Sequence, residues 1–164
     1  MKAKKIAFLG LAIALAMILS FVESQIPPLA AMPGVKVGLP NLVMVFLLYR
    51  IGWKETVTVS IIRIFLTSLL FGNMQTLTFS IAGAVLSLAG MILLKRWFSC
   101  ITVSIVGGLL HNIGQIVAAC LWTQTAQVAF YLPVLLVSGT VAGTVIGLAS
   151  GIIVKRSEKW RLSY

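Results

Sequence analysis

Arg63 sits inside the run "SIIRIFLTSLLFGN" (residues 60–73), which otherwise reads as a membrane-spanning helix. A charge at bilayer depth costs roughly 2.5–3.5 kcal/mol on insertion scales, so its company matters. The other strong polar side chains within apolar runs are few. "GGLLHNIGQIV" carries His111, Asn112 and Gln115, and a spacing of four puts His111 and Gln115 on one helical face. Asn41 opens a short apolar run, Asn73 and Gln75 stand in a turn, and Glu23 closes the first run. All three acidic residues are glutamates: Glu23, Glu55 and Glu158. Two chemistries are open to Arg63. It can bond Glu23, helix-end carbonyls and the amides of the His111 run, fixing the fold. It can also present its charge to an anionic group of a ligand.

Catalysis has little material. Without aspartate there is no aspartate-rich magnesium cluster for diphosphate chemistry, because Mg²⁺ wants carboxylate oxygens. His111 has no acidic orienter near it in sequence and no evident nucleophile. No GxxxxGK[ST] loop is present to cradle ATP. Cys100 and Cys120 lie about 30 Å apart along one helix, which rules out a disulfide between them, and two cysteines make no metal site. Binding or transport without a cofactor is favoured over chemistry.

The elements that position these residues are membrane helices. Sixty per cent of the 164 residues are hydrophobic and ten per cent charged, with mean hydropathy +1.08. A soluble domain carries about 25% charged residues. The chain reads as one integral membrane domain (residues 1–164), an all-α bundle of six spans. They run at about Ile6–Val22, Leu39–Tyr49, Val57–Phe71, Leu77–Leu94, Ile101–Trp122 and Val128–Val154. The second is short, about 17 Å, and needs irregular chain from "PPLAAMPGVKVG" to span. Lys2, Lys4, Lys5, Arg50, Lys54, Lys95, Arg96, Lys155, Arg156, Lys159 and Arg161 all fall on one side of this arrangement, and only Lys36 on the other. The positive-inside rule then places both termini in the cytoplasm. The net charge of +10 is thus a topology signal and does not imply nucleic acid. "MKAKK" before an apolar stretch is read as the start of a retained span, since no small-x-small cleavage site follows.

Helices in lipid approach closely through small residues four apart. Gly139, Gly143, Gly147 and Gly151 form such a packing stripe in the sixth span. The first span has two small faces, one of Ala12, Ala16 and Ser20, the other of Ala3, Ala7, Gly10 and Ala14. Either is open to packing within the chain or to docking on another membrane subunit.

The runs "GLPNLVMVFLLYRIGWKE", "SIIRIFLTSLLFG", "FSIAGAVLSLAGM", "GGLLHNIGQ" and "YLPVLLVSGTVAGTVIG" resemble the bacterial Gx transporter family, often labelled heptaprenyl diphosphate synthase component I. That family is grouped with the substrate-binding S components of energy-coupling-factor (ECF) transporters. The resemblance implies a six-helix protein of the bacterial cell membrane with cytoplasmic termini. It implies a small-molecule ligand held near the outer face, and a partner membrane subunit driven by two ATPases. Carried onto this sequence, Arg63, His111, Asn112 and Gln115 line or support the pocket, with Asn41, Glu23 and Asn73 beside them. "ESQIPPLAAMPGVKVG" acts as lid, and Ala12 and Ala16 match the docking pattern. The residues that mark thiamine, biotin or riboflavin binders are missing, so the ligand stays open. The competing expectation is a non-catalytic membrane accessory of heptaprenyl diphosphate or menaquinone synthesis. A purely structural scaffold would need no polar pocket.

Overall fold

The structure is a computed structural model that describes residues 2–26 and 38–158. Among these residues the chain folds into α1 (Lys2–Gln25), α2 (Leu39–Arg50), α3 (Trp53–Phe71), α4 (Met74–Leu94), α5 (Cys100–Thr123) and α6 (Leu132–Ser157). A short 3-10 turn, Ala126–Tyr131, precedes α6. Each helix boundary has a local cause. Gly38 enters α2 in the left-handed region (φ 75°), and Pro40 follows in the first turn, where its missing N–H costs nothing. Gly52 (φ 156°) turns the chain between α2 and α3, its N–H donating back to the Leu47 carbonyl. Asn73 caps α4, its side chain accepting from the Thr76 N–H at 2.8 Å. Ser99 caps α5 in the same manner.

The helices outrun the apolar segments at several ends. α1 begins at Lys2 and α3 at Trp53, because lysine, alanine and glutamate are good helix formers and continue the turn into polar surroundings. The sixth segment, expected as one helix from Val128, instead starts as a 3-10 turn and becomes α-helical at Leu132, with Pro133 in its first turn. Among the described residues four stretches are long and apolar enough to cross a membrane: Ala3–Gln25, Met74–Leu94, Cys100–Thr123 and Ala126–Ser157. α2, at twelve residues, is about 18 Å long, and α3 carries Lys54, Glu55 and Arg63. Leu69, Leu121, Phe130 and Val137 are among many large apolar side chains left facing outward, a surface that suits lipid.

α2 is the hub of the core. One of its faces packs Val43, Met44 and Leu47 against Ala12 and Ala16 of α1 and Val59 of α3. The other packs Val45 and Leu48 against Leu88 and Met91 of α4 and Val103 of α5. This corrects the docking assignment of Ala12 and Ala16. They are 8% and 0% exposed, and α2 lies over them, so no partner reaches that face. The small face that α1 leaves open is the other one: Ala3, Ala7, Gly10 and Ala14 are exposed, and nothing approaches within 4 Å of a Cβ built at Gly10.

α4, α5 and α6 are held by backbone-to-backbone approach. A Cβ on Gly143 would lie 2.7 Å from the Ile105 Cα, and one on Gly147 2.6 Å from the Ile101 Cα. A Cβ on Gly108 would fall 2.8 Å from the Gly139 carbonyl oxygen, and one on Gly114 2.5 Å from that of Ala82. Gly151 differs, with Cys100 Cβ at 3.9 Å. At one end of the bundle basic side chains tie the helices together. Lys5 pairs with Glu55 at 2.5 Å, Arg50 donates to the Ser157 carbonyl at 2.7 Å, and Lys95 donates to the Leu48 carbonyl at 2.9 Å. Lysine and arginine at helix C-termini satisfy carbonyls that have no partner within the helix.

Candidate functional site

α2 fills the bundle only at its basic end. Toward the opposite end, where α2 has not yet begun, the helices enclose a cavity of about 360 Å³. Glu23 and Ser20 of α1, Asn41 of α2, Arg63 of α3, and His111 and Asn112 of α5 all line it. Arg63 donates from Nη1 to Ser20 Oγ at 3.2 Å, while its Nε is buried and meets no hydrogen-bond partner. The expected bond between Arg63 and Glu23 is not made. Glu23 Oε1 instead accepts from the Gly38 N–H, a place where the N-terminus of α2 favours a carboxylate. Among the described residues the ion pair within 4 Å is Lys5–Glu55. Glu23 therefore shares the cavity with Arg63 and acts on it only through its charge.

The helix 5 amides do not serve Arg63 either. Asn112 is buried and donates from Nδ2 to the Leu135 carbonyl of α6 at 2.5 Å. The His111 ring lies over Gly83, so close that a Cβ there would come 2.8 Å from its Cε1. Gln115 does not reach the cavity lining. One residue before it, at Gly114, α4 and α5 touch backbone to backbone. Asn73 is spent as the α4 cap and lies outside the lining too. The lid expected of "ESQIPPLAAMPGVKVG" falls mostly on residues 27–37, outside the described residues; of its described part, Glu23, Ser24, Ile26 and Gly38 line the cavity.

Sequence reasoning missed the hydroxyls. Ser60, Ser68 and Ser87 are buried residues that line the cavity. Thr67 lines it as well, its hydroxyl bonded to the Arg63 carbonyl. The available signal was periodicity: Ser60, Arg63 and Thr67 follow the i, i+3, i+7 rule, as do Ser80, Ala84, Ser87 and Met91 on α4. Small residues in apolar helices suggest packing first. The lower wall is apolar, made by Met44, Leu88, Met91 and Ile146. The arrangement can hold a small molecule that brings a hydrogen-bond acceptor or a negative charge to Arg63.

A family model described as heptaprenyl diphosphate synthase component I matches residues 12–153. No curated protein and no solved structure matches the chain.

Proposed function

This chain belongs to the heptaprenyl diphosphate synthase component I family, and from that premise and the Arg63 cavity we propose a substrate-binding role in transport. It is the membrane S component of an ECF-type transporter, non-catalytic, which takes up a small anionic or polar ligand. Its six helices cross the bacterial cell membrane with both termini in the cytoplasm, and the cavity opens outward. A shared membrane subunit and two ATPases supply the energy. The observation that carries this reading is Arg63, a guanidinium in the bundle with an unpartnered Nε and, among the described residues, no ion pair. A buried charge left in that state is a functional-site hypothesis in its own right.

The family description also names a prenyl synthase, which favours a second reading: a membrane accessory of that pathway.

One co-purification separates the readings. In mild detergent the transport reading expects an ECF-type membrane subunit to accompany the protein, and Gly10→Leu on the open face of α1 to abolish that association while the fold survives. The accessory reading expects a soluble prenyl synthase subunit, unaffected by Gly10→Leu. Recovery of the soluble subunit without the membrane one would refute the transport reading.

A further inference from the structure

We propose that the ligand is a zwitterion of the α-amino-acid type, its carboxylate on Arg63, its ammonium on Glu23, and an apolar side chain directed toward the lower wall. This rests on the binding role proposed above and names its substrate class. His111 apart, Arg63 and Glu23 are the ionisable side chains that line the cavity among the described residues. They make no ion pair with each other, and each is held by a different group. Arg63 donates to Ser20 Oγ at 3.2 Å, and Glu23 Oε1 accepts from the Gly38 N–H. Arg63 keeps its buried Nε without a partner. A carboxylate has two oxygens and about four acceptor sites, so the bond at Oε1 leaves Glu23 capacity for a further donor.

Two opposite charges that face one cavity without touching select against a ligand with a single charge. A bare anion at Arg63 comes within reach of the Glu23 carboxylate and is repelled by it, and a bare cation at Glu23 meets Arg63 in the same way. A zwitterion satisfies both groups. The spacing fits. Ser20 and Glu23 are three residues apart on α1, neighbours on one face with about 5–6 Å between Cβ atoms, and the Arg63 head lies on Ser20. An ammonium and a carboxylate on one carbon, with a charge-assisted hydrogen bond of about 2.8 Å at each end, bridge a gap of this size. Depth places the rest of the ligand. Arg63 stands eight residues from the end of α3 that the Gly72–Asn73 turn joins to α4, about 12 Å of rise. Leu88 and Met91 stand fourteen and seventeen residues from the start of α4, about 21 and 25 Å of rise. The charged pair therefore lies nearer that turn, with apolar surface beneath it where a hydrocarbon side chain is buried favourably.

The test uses purified full-length protein in detergent at neutral pH, with calorimetry and ligand-dependent thermal shift as readouts. L-Phenylalanine and L-leucine are compared with their deaminated forms, phenylpropanoate and isocaproate, and with their decarboxylated forms, phenethylamine and isoamylamine. At least one amino acid should bind about ten- to a hundredfold more tightly than either of its single-charged analogues. Glu23→Gln keeps an oxygen for the Gly38 N–H while removing the charge. It should erase the advantage over the deaminated form, and that anion should itself bind more tightly than it does to the parent. Arg63→Gln should erase the advantage over the amine. Equal losses for all probes in Glu23→Gln would give Glu23 a structural role and overturn the proposal. A deaminated acid that binds the parent as tightly as its amino acid, and still needs Arg63, overturns the zwitterion and leaves the anion site standing. An amino-acid preference that survives Glu23→Gln does the same. Failure of every probe to bind, or binding indifferent to Arg63, overturns both.

Discussion

Arg63 and Glu23 share a cavity without sharing a bond, and that decides how their variants behave. Arg63 carries a buried Nε with no partner, so Arg63→Gln should leave the heat stability of the ligand-free protein unchanged or raised. The same change should cost anion binding about ten- to a hundredfold, and Arg63→Lys nearly as much where the planar fork matters. Glu23→Ala removes the acceptor of the Gly38 N–H and should destabilise the protein by about 1 kcal/mol. With no ion pair to break, the double variant should show the sum of the two, and recovery would place a salt bridge where the structure has none. Glu55 gives a pH test away from the cavity. The hydrogen bond from Lys5 holds its carboxyl below the usual carboxylate range. A group whose pKa is lowered by folding stabilises above its unfolded pKa, and the contribution disappears as pH falls through the folded value. Thermal unfolding should therefore lose a small increment below about pH 4, absent in Glu55→Gln; an unchanged acid limb would exclude the pair. Legibility at this scale tracks contrast. A charge in an apolar run announces Arg63 and Glu23, whereas serines in membrane helices look like packing residues and gave no sign that they face a cavity.

Helix contacts were legible where backbone must meet backbone. Glycines four apart in α6 identify a close interface from sequence, and the structure adds that its partner is α5, through Ser104, Ile105 and Gly108. The same spacing on α1 gave the face of Ala12 and Ala16 but not its neighbour, because small residues suit α2 of the same chain as well as a second protein. Spacing also does not report where a stripe ends. Gly143→Ala would put a methyl 2.7 Å from Ile105 Cα and 2.9 Å from the Ser104 carbonyl oxygen, atoms that cannot yield without moving a helix. It should cost about 1–3 kcal/mol, net of the helix propensity gained. Gly151→Ala meets only Cys100 Cβ at 3.9 Å and should be neutral or stabilising by up to about 1 kcal/mol. Thermal melts of both variants in one detergent check the pair, and equal losses would mean that α5 and α6 are not in this register.

At the scale of the whole molecule, one end gathers charge and the other gathers the cavity mouth. Lys5, Arg50, Lys54, Lys95, Arg96, Lys155 and Arg156 stand where α1, α3 and α5 begin and where α2, α4 and α6 end. On the proposed topology this end lies in the cytoplasm, where the positive-inside bias favours lysine and arginine. α3 covers about 28 Å, comparable with a hydrocarbon core of about 30 Å, and Arg63, Ser60 and Thr67 on it line the cavity. α2 covers about 18 Å, less than a hydrocarbon core of about 30 Å. The proposed topology puts Asn73 and Gln124 at the outer face and Arg96 at the inner one. The check is single-cysteine labelling in intact cells, in a background with Cys100→Ser and Cys120→Ser. A membrane-impermeant thiol reagent should modify Asn73→Cys and Gln124→Cys, and Arg96→Cys only after permeabilisation. Labelling of Arg96→Cys from outside would invert the molecule, turning the Arg63 cavity toward the cytoplasm. Uptake through that cavity would then be untenable, however well a ligand bound there.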